Sequence, residues 1–215
     1  MKETEHWEDY FDEKFDESDP WAYETSEYER TKYRRQIEVA DDYLEQPDHI
    51  LEIGCSEGVH SSMLLDAFPS ANLLGISLSE REIERARERV ETERATFVAA
   101  DATEYLHDLT GEFDLVVWSE TMYYMGDIVS VPEMYDLVET VGDHLTDGGV
   151  IVSANIVGQQ DTSESRLTRP AILSAYRTFF ESVAEPVRFA AYEGWKEESG
   201  GSHEYEIWGY RKSQN

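Results

Sequence analysis

Residues 49–61 read His-Ile-Leu-Glu-Ile-Gly-Cys-Ser-Glu-Gly-Val-His-Ser, and few folds accommodate such a stretch. Ile50, Leu51 and Ile53 form the short apolar run of a buried strand. Gly54 and Gly58 bracket a tight turn, and residues 58–68 then have the pattern of a helix. A strand that breaks at glycine and restarts as a helix brings bare backbone N–H groups up to a ligand. Glu52, two residues before the first glycine, stands at the carboxyl end of the strand, where open α/β sheets bind their ligands.

The same alternation recurs downstream. Residues 72–77 (Asn-Leu-Leu-Gly-Ile-Ser) predict a second strand, and Ser79-Glu-Arg-Glu82 has the form of a capping box. Leu78 and Ile83 flank that cap as a hydrophobic staple, and the helix at 80–92 turns Ile83, Ala86 and Val90 inward. Residues 96–100 are a third strand ending in Asp101, and 113–118 (Phe-Asp-Leu-Val-Val-Trp) a fourth. A helix from Val131 carries Met134, Leu137, Val138, Val141 and Leu145 on one face, Gly148-Gly149 ends it, and 150–156 is a fifth strand. Near-continuous apolar strands separated by amphipathic helices predict a parallel sheet covered on both faces.

The two ends differ from this pattern. A polar loop at 158–169 precedes a helix at 170–181; strands at 187–192 and 205–211 follow, joined by the glycine-rich 194–202. With no helix between them, these two strands pair antiparallel. Residues 1–27 are acidic yet carry Trp7, Tyr10, Phe11, Phe15, Trp21 and Tyr23, more aromatics than a disordered tail holds, so this arm is expected to fold back on the domain. A helix at 26–44 presents Tyr33, Ile37, Ala40 and Leu44 on one face. The whole chain, 1–215, reads as one domain: an arm and helix at 1–44 and an α/β core at 45–215.

Composition excludes several partners. The formal net charge is −29, from 47 acidic against 18 basic residues, and a surface of that sign repels phosphodiester backbones, so nucleic acid is not the expected partner. The acids are spread along the chain, a composition that resembles haloarchaeal cytoplasmic proteins and implies adaptation to salt rather than a docking patch. No apolar run is long enough to span a membrane, and the first residues lack the basic and apolar segments of a secretory signal. Cys55 is the only cysteine, which excludes an internal disulfide and suits a cytoplasmic location. The six histidines show no metal-ligand spacing, and His60, in the first helix near the glycine turn, reads as a helix-surface residue.

Glu52-Ile-Gly54-x-x-x-Gly58 resembles the first motif of class I S-adenosylmethionine (SAM) dependent methyltransferases, Asp/Glu-x-Gly-x-Gly-x-Gly, with Ser56 in place of the middle glycine. The resemblance implies a Rossmann-like fold: a seven-stranded mixed sheet of five parallel strands plus an antiparallel C-terminal pair, with helices on both faces. A dinucleotide-binding domain fits less well, because it wants Gly-x-Gly-x-x-Gly and an acid at the end of strand two, where this chain has Ser77. By the resemblance, Ser77 would offer the ribose a neutral hydrogen bond. Asp101 would take the adenine amino group, with the Ala102 backbone N–H on a ring nitrogen, although aspartate here is equally a strong helix N-cap. Cys55, Leu78 and Ser119 would complete the wall with Gly54 and Gly58.

A narrower resemblance joins Asp19-Pro-Trp21, Tyr28-Glu-x-x-Lys-Tyr33 and Ser119-Glu-x-x-Tyr-Tyr-Met125 to the first motif, and it is to the nodulation protein S family of N-methyltransferases. It implies that Trp21 and Tyr28 close over SAM, that Lys32 pairs with the methionine carboxylate, and that Glu120 and Tyr123 lie near the reacting centre. Trp21 also suits an anchor for the arm, Lys32 a solvated helix face, and Tyr124 plain packing. The expected reaction is methyl transfer to a small-molecule acceptor, at an amine nitrogen, leaving S-adenosylhomocysteine (SAH). Transfer to oxygen or carbon on the same fold, or SAM binding without catalysis, are the alternatives.

Overall fold

The computed structural model describes residues 3–159, 170–196 and 200–214. The expected polar loop at 158–169 therefore lies outside the described residues from 160 onward. Helices α1 (Glu3–Lys14) and α2 (Glu27–Asp41) come first. The core then alternates β1 (His49–Ile53), α3 (Val59–Ala67), β2 (Asn72–Ser77), α4 (Glu80–Arg89), β3 (Ala95–Ala99) and the short α5 (Ala102–Tyr105). It continues through β4 (Phe113–Ser119), α6 (Met122–Ile128), α7 (Val131–Asp143), β5 (Leu145–Gln159), α8 (Pro170–Val183), β6 (Glu185–Lys196) and β7 (Gly201–Arg211).

The seven strands form one sheet in the order β3-β2-β1-β4-β5-β7-β6. β1 through β5 pair parallel, and β7 enters antiparallel between β5 and β6. The Rossmann-like arrangement expected from the sequence is the one observed. Successive strand side chains point to opposite faces, so each central strand feeds two cores. Leu51, Ile53, Val116 and Trp118 join Met134, Leu137, Val138 and Phe180 of α7 and α8 on one side. Ile50, Leu115, Val117 and Val152 join Val39, Leu64 and Ile83 of α2, α3 and α4 on the other. A strand apolar at every position is what burial on both faces requires.

Three details depart from the sequence reading. Helix α7 ends at Asp143, before Gly148-Gly149, because Leu145 already pairs with Phe113; the register then shifts, and Val150 pairs with Leu115. Gly148, at φ +82°, serves that irregularity instead of a helix terminus. The glycine-rich 194–202 is no simple connector, since Gly194 pairs with His203 and Trp195 with Ser202. Gly194 is needed because a Cβ there would run into the Tyr28 ring. Among the described residues no helix is long and apolar enough to cross a membrane.

The acidic arm does fold back. The Trp7 and Phe11 rings lie 4.7 and 5.1 Å from that of Tyr124 on α6. On the other flank, the Arg85 guanidinium of α4 donates to Phe15 O and Glu17 O, each at 2.8 Å, and to the fully buried Glu57 at 2.7 Å. Glu57 also accepts from the Asp19 backbone N–H at 3.0 Å, so one carboxylate ties arm, glycine turn and α4 together. Arg85→Ala strands that charge without its cation. It should cost about 3 kcal/mol, read by denaturant unfolding, and expose the arm to limited proteolysis ahead of the core.

Candidate active site

The carboxyl ends of β1 to β4 open into a cavity of about 430 Å³, roofed by α1 and the segment after it. Its floor is the glycine turn. Gly54 has φ +86°, its N–H is bonded to Ile76 O at 2.8 Å, and a Cβ would strike the Thr121 side chain. Gly58, φ +76°, caps α3 and lies against Ala86, where a Cβ would sit 3.1 Å from its backbone. Ser56 stands between them at φ +47°. The left-handed turn of a middle glycine is thus kept without the glycine, at a cost of roughly 1–2 kcal/mol. Its hydroxyl offsets part of this by donating to Glu82 at 2.9 Å.

Acidic groups line successive strand tips. Glu52, at the end of β1, is buried and accepts from Ser61 Oγ at 2.5 Å and His60 Nδ1 at 3.0 Å. Beyond β2, Ser77 Oγ donates to Glu82 at 2.7 Å, so the serine and a glutamate five residues on share the position where an acid was missed. Burial is the main cause that lifts the Glu82 pKa to about 7, against the pull of hydrogen bonds from Ser77, Ser56 and the Ser79 backbone. Beyond β3, Asp101 is the helix N-cap that was one of its two readings. Oδ1 caps α5 through the Thr103 backbone N–H at 2.8 Å and hydroxyl at 2.7 Å. Oδ2 is buried and has no hydrogen-bond partner among the described residues.

The tip of β4 carries Ser119, Glu120 and Thr121. Glu120 adopts φ +56°, which swings its carboxylate back to Lys32 on α2. Lys32 Nζ also pairs with Glu29 and lies 5.0 to 5.5 Å from the ring centres of Tyr23, Tyr33 and Tyr205. Burial alone would lower its pKa; Glu120 and Glu29 outweigh that and hold it well above the ordinary lysine value. Tyr123 lines the cavity one turn on, its phenol pushed up by burial and by Glu120.

Of the residues singled out in the sequence, Trp21, Glu52, Gly54, Cys55, Ser77, Leu78, Asp101, Ala102, Ser119, Glu120 and Tyr123 all line this cavity. Tyr28, Lys32 and Gly58 stand behind its wall. Tyr28 packs on the β6–β7 hairpin, with Tyr192 at 6.0 Å and His203 at 5.7 Å between ring centres. The ammonium of Lys32, expected to meet a ligand carboxylate, is engaged by two carboxylates of the protein. The thiol of Cys55 is pushed up by burial, which makes it a poor nucleophile. Glu82 and His60 were missed as wall residues. Glu82 reads as a capping glutamate and His60 as helix surface; only tertiary packing brings them to the cavity.

A family model described as nodulation protein S (NodS) matches residues 3–155. The chain belongs to that family. The NodS of Bradyrhizobium diazoefficiens is 28% identical over 114 residues, 53% of this chain and 52% of that one. A malonyl-[acyl-carrier protein] O-methyltransferase of Priestia megaterium is 25% identical over 109 residues, 50% of this chain and 39% of the other. The chain thus spans about half or less of these curated relatives. The crystal structure of the N-methyltransferase NodS from Bradyrhizobium japonicum WM9 in complex with SAH superposes with a TM-score of 0.77 at 18% identity, over 95% of this chain and 97% of that one. That likeness establishes a shared fold.

Glu82 predicts a pH signature. Its folded pKa, about 7, lies above the ordinary 4.5, so the folded state holds this proton more tightly than the unfolded chain. The resulting stability is present below the lower value and is lost as pH rises through the higher one. Glu82→Gln removes the titration, and the variant's melting temperature relative to wild type should climb between the two pH values and level off above them.

Proposed function

We propose that this protein is a SAM-dependent methyltransferase that methylates a small-molecule amine. The reading rests chiefly on Asp101, a residue of the cavity lining, whose Oδ2 is a buried acceptor with no hydrogen-bond partner among the described residues, and on the Ser77–Glu82 pair and glycine turn that line the same cavity. These groups fit a nucleoside: an acceptor for a ring amino group, an acidic pair for ribose hydroxyls, and backbone approached closely at Gly54. Membership of the NodS family supports it. SAM, when bound, supplies a methyl group made electrophilic by a sulfonium.

The side chains then have limited work. Asp101 and the Ala102 N–H would orient the base, Ser77 and Glu82 the ribose, and Glu52 with Ser119 the amino-acid end. Trp21, Cys55 and Leu78 would fill the space between, while Gly58 keeps the turn closed and Tyr28 braces the wall. The aromatic faces of Trp21 and Tyr123 suit a cationic donor. Catalysis comes mostly from holding acceptor and methyl carbon about 3–3.5 Å apart in line. An amine attacks only through its free lone pair, so Glu120 would orient the neutral acceptor through an N–H and take the proton that the nitrogen releases once it carries the methyl group. Lys32, behind it, fixes the direction of that carboxylate.

Titration calorimetry with SAH in molar salt tests the cofactor half of this reading, and methyl transfer to a panel of amines tests the acceptor half. Binding of SAH is expected, and Glu120→Gln should lower kcat about 100-fold or more while leaving SAH affinity almost unchanged. Absence of SAH binding overturns the methyltransferase reading. Transfer confined to hydroxyl or carboxylate acceptors overturns the amine.

A further inference from the structure

His60 is 3% exposed, it lines the cavity, and its first nitrogen and its ring face are both held by neighbouring side chains. Nδ1 is held by Glu52 Oε1 at 3.0 Å, and that carboxylate's other oxygen is taken by Ser61. The ring stacks on Tyr33 at 4.5 Å between centres and 12° between planes, so it cannot swing away without losing both. Nε2 remains buried with no hydrogen-bond partner among the described residues, although both Tyr33 and His60 line the cavity. A buried polar atom fixed from two sides and left unsatisfied costs stability that a ligand can restore.

We infer that His60 Nε2 accepts a hydrogen bond from the α-ammonium group of the methyl donor's amino-acid end. The inference rests on the methyltransferase reading, and sheet order supplies the placement. Asp101 stands at the tip of β3, Ser77 at that of β2 and Glu52 at that of β1, in adjacent positions across the sheet. A nucleoside with its base on Asp101 and its ribose on Ser77 and Glu82 lays its 5′ chain beside Glu52 and His60. With Nδ1–H engaged by a carboxylate, the imidazole in its neutral form offers a lone pair at Nε2. The Glu52 carboxylate beside it favours a cationic partner over an anionic one. His60 thereby becomes a residue that distinguishes a complete methyl donor from its nucleoside fragment.

Calorimetry on the full chain with three ligands tests this: SAH, decarboxylated SAH (ammonium kept) and 5′-methylthioadenosine (both amino-acid groups absent). His60→Phe keeps the ring stack and removes both nitrogens. His60→Asn keeps a donor for Glu52, and it carries the test should the first variant not fold. Either should weaken SAH and decarboxylated SAH about tenfold or more and leave 5′-methylthioadenosine unchanged. Unchanged SAH affinity, or an equal loss for all three ligands, overturns the inference. A loss for SAH alone also overturns it, because the partner is then the carboxylate. Wild-type protein that binds none of the three overturns the methyltransferase reading itself, and the inference with it.

Discussion

Carboxylates buried around one cavity are the constraint the rest of the structure answers. Glu29, Glu52 and Glu82 are each less than 5% exposed, and Glu120 stands beside them on the same wall. An isolated buried carboxylate is costly, so each must be paired, hydrogen-bonded or protonated. The protein uses all three solutions. Lys32 takes Glu29 and Glu120, Ser61 and His60 take Glu52, and Glu82 combines two serine hydroxyls with a pKa raised into the neutral range. Each solution ties α2, α3 or α4 to a strand tip, so the electrostatics of the site and the packing of its helices are one problem.

The arm belongs to the same account. In a chain of net charge −29, an acidic segment laid over an acidic cavity needs cations between them. Helix α4 supplies these: Arg81 pairs with Asp16, Arg85 with Glu57, and Arg89 with Glu24. Aromatic rings fasten the other flank, where Trp7 and Phe11 meet Tyr124. Tyr124 therefore packs against the arm, and it lines the cavity as well.

Much of this was legible because parallel strands and glycine turns leave strong local marks. The apolar runs at Ile50–Ile53 and Phe113–Trp118 are buried on both faces, and the glycines at 54 and 58 take the positive φ their turn requires. The site was legible where a residue sits at a strand tip, as Glu52, Ser77, Asp101 and Glu120 do. It was not legible where function depends on a partner distant in sequence. Lys32 reads as a partner for the ligand carboxylate or as a solvated helix face until α2 is packed against Glu120, 88 residues away. Glu82 reads as a cap until burial turns it toward Ser56 and Ser77. Ser56 looked like a defect in the motif, whereas its backbone shows the turn preserved at the expense of some strain.

The most direct measurement is a crystal structure with SAH bound. The account predicts the adenine amino group on Asp101, the ribose between Ser77 and Glu82, and the sulfur facing Glu120 and Tyr123, with the Lys32 pairings intact. A ligand seated elsewhere, or one that draws Lys32 away from Glu120 to its own carboxylate, would contradict it.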